Sequence, residues 1–341
     1  MHILRFVLQL RSNSNKLRRI TSRTDTNGGG ILVKICVAGA INWDINLFVE
    51  RFPEIGEEVP VKQITRVPGG KAANVAVASA RILGSGQAAL IGCLGRDTIA
   101  DHQIRILEDE GVVVSGIKFS RDTESGQAYI IIDRDGRNVI NTLFGANLKL
   151  LPEDLQSSEI LNLLLESSIV TLIDPPIETI ESAALLANEQ NKTVVWDAGV
   201  RSVLGIERLG TVLKSLDYLV INQVEVKNLT GEKNPPEAWE RLSKVNERLR
   251  LIVKLGERGC SLISSDTVMT VPAVDLKELG LRVVNTVGCG DAFLGVFVAY
   301  KSQGLEDEKA LERANLAGAL KAAKPQTRGS PAREELERYL G

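Results

Sequence analysis

Apolar runs of strand length recur along most of the chain, and stretches of helical character separate them. Lys34 to Ala40 (KICVAGA) reads as a buried first strand, and Ala88 to Leu94 repeats the pattern. Ile169 to Ile173, Thr193 to Trp196, Tyr218 to Ile221 and Leu251 to Leu255 continue the series. Helices are expected from Lys71 to about Leu83 (Ala-rich), around Ile99 to Glu110, at Arg241 to Arg248, around Leu311 to Ala323 (Ala-rich again) and from Pro331 to Tyr339 behind a proline start. Leu281 to Val284 reads as the end of a strand, and Ala292 to Tyr300 as a buried helix. This alternation implies an α/β fold with a mostly parallel central sheet and helices on both faces. Two segments depart from it. Residues 45 to 66 alternate loosely around turn signals at Pro53 and Gly56, so they predict short strands. Within residues 117 to 145, Gln127 to Asp133 and Asn138 to Phe144 flank Arg134-Asp135-Gly136 and predict a hairpin.

Residues 1 to about 33 stand apart. Up to Lys34 the chain takes 7 of the 41 basic residues and 1 of the 43 acidic ones, leaving 34 basic against 42 acidic residues beyond it. An Arg-rich, Ser-containing tail with few acids fits an organelle transit peptide. It fits equally a disordered basic extension or a mis-called translation start, and that is the expectation adopted. Residues 34 to 341 then form one large domain, for which 341 residues in all give ample core.

Composition narrows the chemistry. Apolar content of 44% and charged content of 25% are those of an ordinary globule, and no apolar run approaches a membrane span. A net charge of -2 gives no electrostatic case for nucleic acid. The four cysteines, Cys36, Cys93, Cys260 and Cys289, are far apart, which argues against zinc and disulfides and fits a reducing cytoplasm. His2 and His102 are the only histidines. A histidine triad or histidine-rich metal site is thus nearly excluded, and a carboxylate becomes the natural general base.

Two glycine turns carry that chemistry. In Asn285-Thr286-Val287-Gly288-Cys289-Gly290-Asp291, Gly288 and Gly290 flank one small residue ahead of a helix whose first turn carries Asp291. Backbone N–H groups and the helix dipole there favour an anion. A carboxylate beside such a hole can deprotonate a hydroxyl while the hole holds phosphoryl oxygens. A tight turn with Asp291 as a helix-start residue has the same appearance. In Gly69-Gly70-Lys71-Ala72-Ala73-Asn74, Lys71 and Asn74 share a helical face. Ala72 stands where a Walker A loop needs Ser or Thr, and no Gly-x-Gly-x-x-Gly follows a strand. Asn42 and Asp44, two apart after the first strand, would face one way and could hold adjacent hydroxyls or form an Asx turn. Asp174, Asp197, Asn222 and Glu225 sit at or near strand ends, as caps or around a ligand crevice.

Together these motifs resemble the ribokinase-like, PfkB-type sugar and nucleoside kinases over about residues 34 to 340. Gly69 to Asn74 is similar to that family's N-terminal signature, Asn285 to Phe293 to its C-terminal signature, and Asn222-Gln223-Val224-Glu225 to its Asn-x-x-Glu motif. The resemblance implies a three-layer α/β/α fold with a small β lid from about 45–66 and 117–145. It implies Asp291 as base and the N–H groups of Gly288, Cys289 and Gly290 as the hole for the γ-phosphate. It implies Asn42, Asp44, Gly69, Gly70, Lys71, Asn74 and Asp174 as acceptor ligands. Asn222 and Glu225 would position Mg2+ and phosphate through water, while Lys254, Leu255, Gly256 and residues 271–274 would line ATP. Ribokinases usually carry Asp at the position of Asn285, near a monovalent-cation site, so potassium activation is in doubt here. Cys289 could be a low-pKa thiol at a helix start or simply a small residue that fits.

The resulting expectation is an ATP-dependent kinase acting on a sugar hydroxyl, most like ribokinase, and a homodimer through the lid. Gly145-Ala146-Asn147 adds to that resemblance. A nucleoside kinase and a 6-phosphofructokinase of the same fold stay open. A sugar phosphate would need cations in the acceptor site, for which Arg66, Arg96, Arg121 and Arg137 are candidates. A non-catalytic sugar-binding regulator would be expected to lack Asp291.

Overall fold

The computed structural model describes residues 32–174 and 176–340, so the basic extension falls outside it except for Leu32 and Val33. Strands are β1 (Ile35–Gly39), β2 (Asn42–Val49), β3 (Val61–Gly69), β4 (Ala88–Leu94), β5 (Val112–Phe119), β6 (Gly126–Ile132), β7 (Asn138–Leu143), β8 (Ile169–Ile173), β9 (Thr193–Asp197), β10 (Tyr218–Asn222), β11 (Arg250–Lys254), β12 (Cys260–Ile263) and β13 (Val268–Val271). Helices are α1 (Lys71–Leu83), α2 (Thr98–Asp109), α3 (Ser158–Glu166), α4 (Ile177–Glu189), α5 (Gly205–Leu213), α6 (Gln223–Thr230), α7 (Pro235–Ser243), α8 (Cys289–Ser302), α9 (Asp307–Ala322) and α10 (Arg333–Glu337).

Nine strands form the main sheet in the order β13-β12-β11-β10-β9-β8-β1-β4-β5. From β11 to β5 every pairing is parallel, and β12 and β13 close one edge antiparallel. Strands covered on both faces must be apolar throughout. In β1, Ile35 and Val37 enter the core under α1, α8 and α9, whereas Cys36 and Ala38 enter the core under α3 to α7. Crossovers leave β1 toward β4 on one side and β8 on the other, which is where such sheets open a ligand crevice. A second sheet, in the order β3-β2-β6-β7, lies outside these layers. It carries exposed Ile64, Val139, Ile140 and Leu143.

Several expected elements differ. Residues 117–119 end β5 in the main sheet, so only β6 and β7 of the 117–145 segment join the second sheet. Gly116 interrupts the apolar pattern of β5, because a side chain there would meet the Leu90 carbonyl. Leu281 to Val284 is not a strand: the N–H groups of Val284 and Asn285 donate to the Ala322 carbonyl at the end of α9. The helix expected at Arg241 to Arg248 starts earlier, at the Pro235-Pro236 pair. The last helix is shorter than expected and has no side-chain cap.

Helices α1 and α8, each beginning at a glycine motif, pack closely against one another. The contact depends on Gly295. A Cβ there would lie 2.4 Å from the Ala78 Cβ and 2.7 Å from the Val75 carbonyl, and Ser79 Oγ donates to the Gly295 carbonyl at 3.0 Å. Gly295→Ala should therefore push the helices apart and cost about 1–3 kcal/mol. Urea denaturation followed by circular dichroism checks this, and an unchanged midpoint would show that the crossing has slack.

Candidate active site

The polar residues singled out at strand ends do share one edge of the sheet. Asp174 follows β8, while Asp197, Asn222 and Lys254 close β9, β10 and β11. Asp174 holds a left-handed φ of 55°, a strained state of the kind functional sites retain. Gly70 precedes α1 with φ +89°, and a Cβ there would fall 2.5 Å from the Asn42 nitrogen, so only glycine fits against β2. That approach puts Gly69 against the Asp44 carboxylate and Gly70 against the Asn42 backbone at the start of β2, whereas Lys71 faces Asp174 and Asn74 meets Arg328.

Gly288 precedes α8 with φ +86°, where a Cβ would overlap the Thr327 carbonyl. The hole differs from expectation in one donor. The Cys289 N–H donates to the Thr286 carbonyl at 3.3 Å. The N–H groups of Gly288, Gly290 and Asp291 have no protein acceptor among the described residues. The Lys254 ammonium lies 3.5 Å from where a side chain on Gly290 would start, so positive charge adjoins these donors.

Asp291 sits on the first turn of α8, and its Oδ2 accepts a 2.8 Å hydrogen bond from Asn74 Nδ2. Burial raises its pKa, against the pull of that hydrogen bond and of Lys71. Lys71 pairs with Asp174 at 3.3 Å, and Lys254 pairs with Asp197 at 2.7 Å. Burial works against both ammonium groups, yet Asp197 with Asp174 (for Lys71) and Asp197 with Glu225 (for Lys254) raise their pKa values. Asp197 titrates low despite burial because Lys254 and Lys71 flank it. Burial also raises Asp174 and Glu225, although Lys71 opposes the first shift and Lys254 the second.

Asn222 and Glu225 form a capping box on α6. Asn222 Oδ1 accepts from the N–H groups of Val224 and Glu225, and Glu225 Oε2 accepts from the Asn222 N–H. One Glu225 oxygen is left over. No group of three or more His, Cys, Asp or Glu side chains among the described residues could hold a metal. The region sets five carboxylates (Asp44, Asp174, Asp197, Glu225, Asp291) against five cations (Lys71, Arg201, Lys254, Lys321, Arg328). Asp174 Oδ1 and Asp197 Oδ1 are buried without a partner, and such oxygens could face the waters of a hydrated Mg2+.

A cavity of about 980 Å3 opens from Lys254 and Gly256 past Ala273, Val274 and Leu281 to Cys289 and Gly290. Of the expected nucleotide residues it is lined by Lys254, Gly256, Ala273 and Val274, and it ends at Gly290 beside the open N–H groups. Asp291, next to Gly290 at the end of this cavity, hydrogen-bonds Asn74 and lies within electrostatic reach of both Asp44 and Lys71. Burial pushes the Cys289 thiol up to about 11, which removes the reading of a low-pKa thiol.

Sequence reasoning missed Arg328. It is buried, and its Nε donates to Asn74 Oδ1 at 3.0 Å and its Nη2 to the Gly69 carbonyl at 2.8 Å. It sits 254 residues from Asn74 in a Gln-Thr-Arg-Gly loop with no local signal. Arg137, one of the arginines considered for the acceptor site, instead pairs with Asp133 and Asp135. Asn147 also had no assigned role: its Oδ1 accepts from the Ile41 N–H and its Nδ2 donates to Asn42 Oδ1, both at 2.8 Å, so it fixes Asn42.

A model of the pfkB family of carbohydrate kinases matches residues 33–334. The chain belongs to that family. It is 30% identical over 309 residues to an ATP-dependent ribose-1-phosphate kinase of Halopiger xanaduensis, covering 91% of this chain and 98% of that one. Crystal structures give the same picture. Ribokinase of Thermotoga maritima aligns with a TM-score of 0.79 at 30% identity, covering 91% of this chain and 99% of the other. Ribokinase of Arabidopsis thaliana, complexed with ribose and ATP, aligns with a TM-score of 0.81 at 26% identity over the same shares. As a pfkB carbohydrate kinase, the protein is a phosphotransferase with an alcohol group as acceptor, most like the ribokinases. No described helix is long and apolar enough to cross a membrane.

Asp44 makes one consequence measurable. It is 5% exposed, and burial pushes its pKa up to about 7, with Arg328 opposing the shift and Asp291 reinforcing it. A carboxyl whose folded pKa exceeds its unfolded value binds more protons in the native state. Stability therefore falls as pH rises from the unfolded pKa through about 7. Asp44→Asn should leave the melting temperature unchanged near pH 4, raise it by a few degrees above pH 7, and weaken acceptor binding. Differential scanning fluorimetry across pH checks the sign, and a variant less stable at pH 8 than at pH 4 relative to wild type would contradict it.

Proposed function

We propose that this kinase transfers the γ-phosphoryl group of ATP, with Mg2+, to a hydroxyl of a pentose, with ribose the first choice. The observation that carries the reading is the position of Asp291, hydrogen-bonded to Asn74 and next to unpaired N–H groups at the end of the cavity. In this reading Asp291 takes the acceptor proton as the oxygen attacks. The N–H groups of Gly288, Gly290 and Asp291 hold the γ-phosphate oxygens, and Lys254 adds charge beside them. Asn42, Asp44, Gly69, Gly70, Lys71, Asn74 and Asp174 hold and orient the sugar hydroxyls. Gly256 and the residues after β13 carry the nucleotide, and Glu225 with Asn222 would position Mg2+ through water. Magnesium bound to the phosphates would offset their charge.

The sheet β3-β2-β6-β7 serves as a lid that excludes water, the competing acceptor. Its exposed Ile64, Val139 and Ile140 support a homodimer formed through the lid. The spaced, unpaired cysteines support a cytoplasmic protein. A phosphorylated pentose is the second reading. Arg328 favours it, because its buried guanidinium has Nη1 without a partner and lies near Asp44. The Halopiger relative acts, by its name, on ribose 1-phosphate.

A coupled ADP-release assay should compare ribose, ribose 1-phosphate, deoxyribose, fructose 6-phosphate and nucleosides. Turnover concentrated on ribose supports the first reading, and turnover concentrated on ribose 1-phosphate transfers the assignment to the second. Asp291→Asn should lower kcat by about 10²–10⁴ while ATP affinity stays near wild type. Wild-type turnover in that variant would remove Asp291 as the base.

A further inference from the structure

The loop feeding the anion hole is braced by a buried lysine. Lys321, in the last turn of α9, is fully buried, and its Nζ donates to the Asn285 carbonyl at 2.8 Å. No carboxylate pairs with it, and two of its three N–H groups have no protein acceptor among the described residues. Its Cε lies 3.5 Å from where a side chain on Gly288 would start, directly behind the loop. A dry ammonium with one carbonyl partner is costly, and an apolar side chain of that length would fill the space without the cost.

Asn285 is the position near which a monovalent cation would be expected, and the residues present do not fit one. Asn285 Oδ1 accepts from the Val287 N–H at 2.9 Å, and its Nδ2 donates to the Pro325 carbonyl at 2.8 Å. The side-chain oxygen and the main-chain oxygen are thus both engaged. A free cation reaching this loop would also face the Lys321 ammonium through a low-dielectric interior.

We propose that Lys321 is a tethered cation: its ammonium occupies the place of a monovalent ion behind the Asn285–Gly290 loop, fixes the loop's donors toward the phosphoryl group, and frees the kinase from potassium. The idea rests on the kinase reading above and specifies how its anion hole is held. Lys321 acts through the loop, so it is a positioning residue.

The test uses the full chain in tetramethylammonium buffer at constant ionic strength, titrated with KCl. For wild type, neither kcat nor the melting temperature should respond to potassium. Lys321→Met should lower kcat by about tenfold or more with acceptor KM little changed, as expected when preorganised donors lose their support. Ammonium, methylammonium or potassium should raise the melting temperature of Lys321→Ala, which leaves room for an ion where Met would fill it, and restore part of that variant's kcat. Potassium activation or potassium-dependent stabilisation of wild type would overturn the proposal, as would a folded Met variant with wild-type kcat. If Lys321→Met fails to fold, Lys321→Gln and the wild-type potassium titration decide it. Absence of phosphoryl transfer by wild type to any acceptor would instead sink the kinase reading, leaving the melting-temperature arms to judge Lys321.

Discussion

One hydrogen bond ties the site together: Asn74 Nδ2 to Asp291 Oδ2, between the first turns of two helices 217 residues apart in sequence. Its polarity is dictated from behind. The Arg328 guanidinium can only donate, so Asn74 must turn its oxygen toward Arg328 and its amide nitrogen toward Asp291. Arg328 thereby controls the orientation of a carboxylate it does not touch. The close crossing of α1 and α8 at Gly295 is the geometric condition for that bond, since any larger residue would move one helix start away from the other. In the proposed reading the acceptor side belongs to α1 and the phosphoryl side to α8, so their spacing would also be the spacing of the reacting groups.

Charge in the site is managed by pairing rather than dispersal. Lys71 and Lys254 both flank Asp197, and each also sees a second acid, Asp174 or Glu225. A lysine held this way stays protonated in a buried setting and offers a fixed positive charge to phosphate. Of the site carboxylates only Asp197, flanked by both lysines, is lowered; Asp44, Asp174, Glu225 and Asp291 all have raised pKa values, with burial as the leading cause. For a general base that is useful, because a carboxylate of higher pKa takes a hydroxyl proton more readily.

Sequence carried the architecture well where one physical rule decided it. Continuous apolar runs marked β1, β4 and β8 to β11, because strands buried on both faces admit little else. The glycine turns at Gly70 and Gly288 were legible because their backbones leave no room for a Cβ. What was lost lay in short or interrupted elements: β5 is broken by Gly116, and β12 and β13 are four residues each. Leu281 to Val284 looked like a strand, but its last N–H group found a helix carbonyl instead of a strand partner. Arg328 and Lys321 were invisible for another reason. Each matters through a partner tens to hundreds of residues away, and nothing in its own neighbourhood distinguishes it from a surface charge.

The Asn222-Gln223-Val224-Glu225 segment shows why a motif and its chemistry need separate reading. Both side chains are engaged in closing the start of α6, and that alone would explain an Asn and a Glu three apart. Yet the box also holds Glu225 near Asp197 and Lys254, and burial there raises its pKa. A cap on an exposed helix would be served as well by a short hydroxyl residue. In the proposed kinase reading, the remaining carboxylate oxygen is free to meet a hydrated ion carried in on the nucleotide phosphates. The structural role and the ligand role are then one arrangement, because the hydrogen bonds that close the helix are also what hold that oxygen in place.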